Sequence, residues 1–306
     1  MKTTKKVLIT GAAGFIGYHL FKKLKEGNIV VGLDNFYHPC GAVVDCKRGD
    51  VRDQAVIDDL VRNVDEIYHL AAQVHVDRSY EEPQLTYDVN VGGTNNILMA
   101  CKKHGKKLIF ASSCEVYGTA QTECISEEHP LNPQSPYARS KKEAEGLCID
   151  FAKKVVRVVI VRGFNTYGPF QNNNSYGAVI PIFVKRILNG ESPLIFGDGT
   201  QTRDFMYIND SIQSYLIASE RANFGEPLNF GTAQEISIND LAALLLNLLG
   251  KDGLQAVHVE PRPNEVMRFK ADISRAGKLG FNPRVTIRQG LEIYLNWLQT
   301  NRTEGF

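Results

Sequence analysis

Between Leu108 and Lys141 the chain gathers side chains that can move protons. The run Leu-Ile-Phe-Ala-Ser-Ser-Cys-Glu-Val-Tyr-Gly spans Leu108 to Gly118, and Tyr-Ala-Arg-Ser-Lys spans Tyr137 to Lys141 after a polar loop. Apolar Leu108, Ile109 and Phe110 suit a strand covered on both faces. The hydroxyl of Ser113, the thiol of Cys114 and the carboxylate of Glu115 then emerge at its carboxyl end, which faces the ligand crevice in open parallel sheets. Tyr137 and Lys141 stand four residues apart, so a helix puts both on one face. An ammonium beside a phenol favours the phenolate and lowers a reference pKa of about 10. Tyr137 therefore reads as a base near neutral pH, in one unit with Ser113 and Lys141. The bland alternative is a solvated helix surface, and the rest of the chain has to decide between the two.

The elements that must position these groups begin upstream. Lys6 to Thr10 is a short apolar strand that runs into Gly11-Ala-Ala-Gly14-Phe15-Ile16-Gly17. A helical pattern follows, with Phe15, Ile16, Leu20 and Leu24 apolar and lysines opposite. Ile29 to Leu33 is a second strand that stops at Asp34, 23 residues after Gly11. The glycines divide three tasks: a tight turn, close approach of backbone to a pyrophosphate, and close packing of helix on strand. A glycine motif alone says little, but the strand, helix and acid around this one define a dinucleotide site. Asp34 would accept from the adenosine ribose 2′-hydroxyl and repel a 2′-phosphate, which favours NAD over NADP.

Gly49-Asp50-Val51 follows a loop, and spacing alone lets Asp50 be either a cofactor contact or a helix cap. Val56 to Val61 is helical, and Glu66 to Ala72 is a strand whose Leu70, Ala71 and Ala72 let backbone lie close to a cofactor. Thr86 to His104 reads as one long amphipathic helix with Gly105 as its stop. Lys107 to Ala111 is the next strand, Tyr137 to Phe151 the next helix, and Val155 to Arg162 another apolar strand. Beyond Asn165 the alternation loosens. Helices are expected at Val179 to Leu188, at 209 to 220, after a capping box at Ser237 to Asp240, and from Thr286-Ile-Arg-Gln289 onward. The polar loop Gln171 to Tyr176 is either a cover for the substrate or simply solvated.

Composition excludes several classes. A chain of 306 residues, 43% hydrophobic and 23% charged, is an ordinary globular protein of one large domain or two joined ones. A net charge of +1 leaves no basic footprint for nucleic acid or an anionic membrane. No apolar run approaches ~20 residues and no signal peptide is read, so a cytoplasmic protein is expected. The cysteines at 40, 46, 101, 114, 124 and 148 form no Cys-x-x-Cys pair and no His cluster accompanies them, so free thiols are expected, and no metal.

The Gly-x-x-Gly-x-x-Gly spacing, Asp34, Asp50, Ser113 with Val116-Tyr117-Gly118, Tyr137-x-x-x-Lys141, Asn165 before Tyr-Gly-Pro, and arginines 203 and 262 occur in this order across nearly the whole chain. Together they resemble the extended short-chain dehydrogenase/reductases that act on nucleotide sugars. The resemblance implies an α/β fold: a Rossmann-type doubly wound parallel sheet with a smaller α/β C-terminal substrate domain. The first would take residues 1–165 and 204–234, and the second 166–203 and 235–306. NAD would lie against Gly11, Gly14, Phe15, Ile16, Gly17, Asp34 and Asn35, with Asp50 and Val51 at the adenine. Leu70, Ala71 and Ala72 would line the same crevice, Asn90 would support it, and Tyr137 and Lys141 would reach it as well. Asn165, Val179, Arg203, Arg262 and Glu265 would hold the substrate, two guanidiniums being suited to a diphosphate. The helices that begin near Thr86 and Tyr137 would pair with their copies in a homodimer.

Within the family the resemblance divides by the two residues after Ser113. Simple 4-epimerases need no carboxylate at the place of Glu115. The hexose 4,6-dehydratases carry Asp-Glu at Cys114-Glu115 and are also similar at His75-Val-Asp-Arg-Ser79. Cys-Glu-Val-Tyr-Gly itself resembles the UDP-GlcNAc 5,6-dehydratases, which are also similar at Pro261-Arg-Pro-Asn-Glu265; UDP-glucuronate decarboxylases carry Ser-Glu. A thiol with a reference pKa of about 8.5 is protonated at neutral pH and can donate to a leaving hydroxyl. The expectation is a UDP-sugar dehydratase, 5,6 before 4,6, with decarboxylase and epimerase behind. An NAD-binding sensor on the same fold would usually lack Tyr137 or Lys141, and both are present.

Overall fold

The computed structural model describes residues 4–37, 39–42, 44–172, 178–262 and 264–301. Most of the polar loop, residues 173–176, lies outside the described residues, as does Pro263 within the Pro261 to Glu265 motif. The chain alternates strand and helix from the start: β1 (Lys6–Thr10), α1 (Phe15–Lys25), β2 (Ile29–Asp34), β3 (Cys46–Arg48), α2 (Gln54–Arg62) and β4 (Glu66–His69). Two short helices follow, α3 (Val76–Glu81) and α4 (Pro83–Tyr87), then a π-helical turn at Asp88–Gly92 that runs into α5 (Gly93–His104). Next come β5 (Lys107–Ser113), α6 (Pro136–Ala152), β6 (Arg157–Gly163), β7 (Asn165–Tyr167), α7 (Val179–Leu188), β8 (Leu194–Phe196), β9 (Thr202–Arg203), β10 (Phe205–Tyr207), α8 (Ile208–Arg221) and β11 (Pro227–Phe230). The chain closes with β12 (Ile236–Ser237), α9 (Ile238–Leu248), β13 (Val257–Val259), α10 (Ser274–Lys278) and α11 (Ile287–Thr300).

Seven strands form one sheet in the order β11-β6-β5-β4-β1-β2-β3, every pair parallel. The order reverses between β1 and β4, and a doubly wound sheet opens its ligand crevice at such a switch point. Burial explains the strands: Val7, Leu8 and Ile9, and likewise Val158 to Val161, are wholly covered, because helices lie on both faces. One face packs α2, α5 and α6 through Ile57, Ile97 and Ala144. The other packs α1 and α8, and its core runs on without a break into Ile187, Leu245 and Leu295 of α7, α9 and α11. The pairs β7–β10, β8–β13 and β9–β12 lie outside the main sheet.

The structure revises several expectations. The helix expected from Thr86 to His104 begins at Pro83 and carries the π turn, where the Thr94 hydroxyl donates to the Asn90 carbonyl at 2.6 Å. Single π turns of this kind occur within α-helices. Asp53, not Asp50, caps α2, accepting from the amides of Ala55 and Val56. Thr286 and Gln289 form a complete capping box at the start of α11. At Ser237 only half of one forms: Ser237 accepts from the Asp240 amide, but its hydroxyl donates to the Asp240 carboxylate.

Candidate active site

At the switch point the backbone leaves no room for side chains. Gly11 has φ +73°, and a Cβ there would sit 2.8 Å from the Ala71 amide nitrogen and 2.9 Å from the Leu70 carbonyl carbon. A Cβ on Gly17 would lie 1.9 Å from the Gly11 carbonyl oxygen, so helix and turn are in direct contact. Gly14 is the N-cap of α1 and offers no side chain to its first amides. Phe15 and Ile16 then open the helix half-buried against the core. A bare helix N-terminus over a glycine turn suits an anion such as pyrophosphate. Asp34 closes this end, its carboxylate accepting from the amides of Ala13 at 2.9 Å and Phe36 at 2.7 Å. Asp50 takes the Arg52 guanidinium at 2.8 and 2.9 Å and the Asn35 amide at 3.2 Å, and the Arg52 pairing holds it down to about 2. Buried Val51 abuts Gly93, where any Cβ would strike it. The turn, the bare helix end and the two acids fit a dinucleotide.

Ser113 ends β5 and accepts the Glu115 amide at 3.2 Å, turning the chain so that Cys114 and Glu115 leave the sheet. Ser135 caps α6 through the Ala138 amide, which sets Tyr137 in the first turn, hydrogen-bonded to Ser113. Lys141 lies on the same face and is buried. Its ammonium donates to the Ala111 carbonyl and stands 4.6 Å from the Phe110 ring centre. Burial depresses Lys141 to about 8, against the pull of Cys148 and Glu145. Burial also raises the Tyr137 phenol, the Ser113 hydrogen bond opposing it. This corrects the expected depression of Tyr137 by Lys141: desolvation outweighs a cation whose hydrogen bond goes to backbone. Burial pushes the Cys114 thiol well up and Glu115 up as well, with Arg203 opposing both. Asn90 is buried at the π turn, where it accepts from Gln73 N at 2.8 Å and donates to Gln73 O and Ser140 Oγ.

Across the cleft, Asn165 donates to the Asp204 carbonyl at 3.3 Å, and Val179 opens α7 against the core. Arg203 sits in a socket of its own: Nη1 donates to the carbonyls of Thr202 and Val266, Nη2 meets Glu265, and the guanidinium lies 5.3 Å from the Phe269 ring centre. Arg262 is exposed, 3.4 Å from Asp77 and 4.2 Å from the Phe196 ring centre. The two arginines thus hold different stations, one braced near Glu115 and one bridging to α3.

Sequence reasoning missed a buried layer beneath the site. Glu145, four residues beyond Lys141, forms a two-armed pair with Arg162 of β6 and accepts from Ser112 at 2.6 Å. Arg162 also donates to the Tyr117 hydroxyl at 2.6 Å. The available signal was Arg162 directly following the apolar run Val158 to Val161. All six cysteines are free thiols, and among the described residues no group of three or more His, Cys, Asp or Glu can hold a metal ion. No helix among the described residues is long and apolar enough to cross a membrane.

Residues 7–231 match the NAD dependent epimerase/dehydratase family, and the chain belongs to it. It is 36% identical over 96% of its length to 99% of a putative UDP-glucose 4-epimerase of Methanocaldococcus jannaschii. It is 34% identical over 96% of its length to 98% of a UDP-N-acetyl-alpha-D-glucosaminuronate decarboxylase of Bacillus cytotoxicus. The crystal structure of DesIV, a dTDP-glucose 4,6-dehydratase of Streptomyces venezuelae with NAD bound, superposes with a TM-score of 0.90 at 30% identity, over 97% of this chain and 98% of that one. The protein is therefore an NAD-dependent enzyme of the nucleotide-sugar epimerase, dehydratase and decarboxylase group.

Proposed function

We propose that this enzyme is a nucleotide-sugar dehydratase acting on a UDP-sugar, removing water across C5 and C6 in the manner of a 5,6-dehydratase. The observation that carries the reading is the Cys114-Glu115 pair, a buried thiol held protonated beside a half-buried carboxylate next to Ser113 and Tyr137. A 4-epimerase has no use for that pair. In this reading Gly11, Gly14, Phe15, Ile16 and Gly17 hold the NAD pyrophosphate, and Asp34, Asn35, Asp50 and Val51 the adenosine. Leu70, Ala71 and Ala72 floor the crevice. Bound there, NAD would supply the hydride acceptor for sugar C4 and the donor that restores it.

Tyr137, oriented by Ser113 and with Lys141 on the same face of its helix, removes the proton of the 4-hydroxyl. The C4 ketone acidifies C5–H, and Glu115 accepts that proton. The C6 hydroxyl leaves with the Cys114 proton as water. Glu115 then passes its proton to the adjacent thiolate, and Tyr137 returns its own to the reduced C4 oxygen, so both groups are restored. Asn165, Val179, Arg203, Arg262 and Glu265 bind the substrate, with Glu265 also bracing Arg203. The division into an NAD domain of 1–165 and 204–234 and a substrate domain of 166–203 and 235–306 is supported by the return of β11 to the main sheet. The reading includes a cytoplasmic homodimer.

The test is a mass spectrum of UDP-GlcNAc and UDP-glucose after incubation with enzyme and NAD. Loss of one water without net cofactor reduction supports the proposal, and Glu115→Gln should then abolish deuterium exchange at C5. Interconversion of 4-epimers without a mass change would replace it with an epimerase, and loss of carbon dioxide from UDP-glucuronate with a decarboxylase.

A further inference from the structure

We propose that His69 is a positioning residue that ties the floor of the cofactor crevice to the helix carrying Tyr137, through two directed runs of hydrogen bonds joined at Asn90. His69 ends β4 at the switch point and is buried, as are Thr10, Thr94, Asn90 and Ser140 around it. The direction of every bond follows from the inventory of protons. Thr94 Oγ1 spends its only proton on the Asn90 carbonyl, 2.6 Å away. At the 3.0 Å contact between Thr94 Oγ1 and His69 Nε2, the imidazole must therefore donate. That leaves Nδ1 as the acceptor, and it takes the Thr10 hydroxyl proton across 2.7 Å. Thr10 Oγ1 accepts in turn from the Ala71 amide at 3.3 Å, and the Ala71 nitrogen is among the atoms that leave no room for a Cβ on Gly11.

At the other end, the Asn90 carbonyl belongs to the π turn, and π turns concentrate at functional sites. The Asn90 side chain donates to Ser140 Oγ at 2.9 Å, and Ser140 Oγ donates to the Tyr137 carbonyl at 2.8 Å. The two runs thus link the backbone on which a cofactor would lie to the residue that carries the base. The first operates only with a neutral ring. A proton on Nδ1 would face the Thr10 hydroxyl and strand the hydroxyl's own proton. Burial keeps the ring neutral, down to about 3, and the nearby Lys141 ammonium acts the same way. The Phe110 ring, centred 6.0 Å away, brings no charge.

Histidine-selective ¹⁵N NMR of the full-length protein tests the tautomer, with His69 assigned from the signal missing in His69→Gln. The expected spectrum is a neutral Nε2–H ring that persists from about pH 8 down to about pH 5, where an ordinary histidine protonates. A protonated ring in that range, or an Nδ1–H tautomer, overturns the proposal. Kinetics test the positioning. Thr94→Val should lower kcat about tenfold and disturb NAD affinity less, and Thr10→Val should show the reverse pattern. His69→Leu should combine both losses, and adding Thr94→Val to it should bring little further loss in kcat. Variants that lose thermal stability while kcat and NAD affinity stay unchanged would reduce His69 to packing and overturn the role. The kinetic arm rests on Tyr137 as base, but the tautomer does not. Full turnover by Tyr137→Phe would therefore sink the proposed function and leave the NMR result standing.

Discussion

The two walls of the cleft are held by different means. On the cofactor wall, glycines admit backbone against backbone, and buried groups such as His69, Asn90 and the Glu145–Arg162 pair have their hydrogen bonds made inside the protein. On the proposed substrate wall, charged side chains hold one another: Arg203 with Glu265, and exposed Arg262 with Asp77. A buried, satisfied network is costly to disturb, because removing one partner strands the other away from water. An exposed pair is cheap to exchange, because water and salt already compete for it. In the proposed reading the wall that bears the chemistry is thus rigid, and on the wall that would admit a charged substrate the exposed Arg262–Asp77 pair can change partners.

Substitutions that tell chemistry from binding test this contrast most severely. Tyr137→Phe should cut product formation by about 10²–10⁴-fold while NAD affinity, followed by fluorescence titration, shifts by no more than about threefold. A variant that lost NAD and turnover together would break the separation. Next in size is Arg162→Met, which leaves Glu145 buried and unpaired and should cost about 3–5 kcal/mol in denaturant unfolding. Adding Glu145→Leu should recover most of that loss.

Lys141→Met should go the other way, gaining stability on the order of a few kcal/mol near pH 7 as activity is lost. The sign follows from Lys141 being depressed to about 8 from 10.5. Below about pH 8 the folded protein carries a buried ammonium at full cost, and that cost fades as pH rises toward the unfolded value near 10.5. The advantage of the variant, read from unfolding curves, should therefore be largest near neutrality and shrink through that window. The smallest effects belong to the exposed wall. Arg262→Ala should change stability by less than about 1 kcal/mol yet raise KM for the UDP-sugar, and Asp77→Asn should lower KM by releasing Arg262. A large stability loss in either would mean that the pair is part of the frame, and the contrast between the walls would fail.

Much of the frame was legible because it is written in local patterns. The glycine spacing, the acid at Asp34, the apolar strands and the four-residue step from Tyr137 to Lys141 each follow from backbone sterics or helical period. Where one local pattern allowed two outcomes, packing chose: Asp53 caps α2 and leaves Asp50 to Arg52 and Asn35. The helix expected from Thr86 conceals a π turn, where the Thr94 side chain bonds back to the Asn90 carbonyl and across to His69 of another strand.

By itself, then, the sequence determined the order of strands and helices, the dinucleotide turn and the residues able to move protons, since these depend on neighbours within a few positions. Only the tertiary structure decided which charges are paired, that burial rather than Lys141 governs the Tyr137 phenol, and that His69 must be a neutral Nε2–H ring. Those outcomes depend on water being excluded and on partners brought together across the sheet, such as Glu145 with Arg162 and Thr10 with His69. Desolvation and long-range hydrogen bonding leave no periodic trace along a chain.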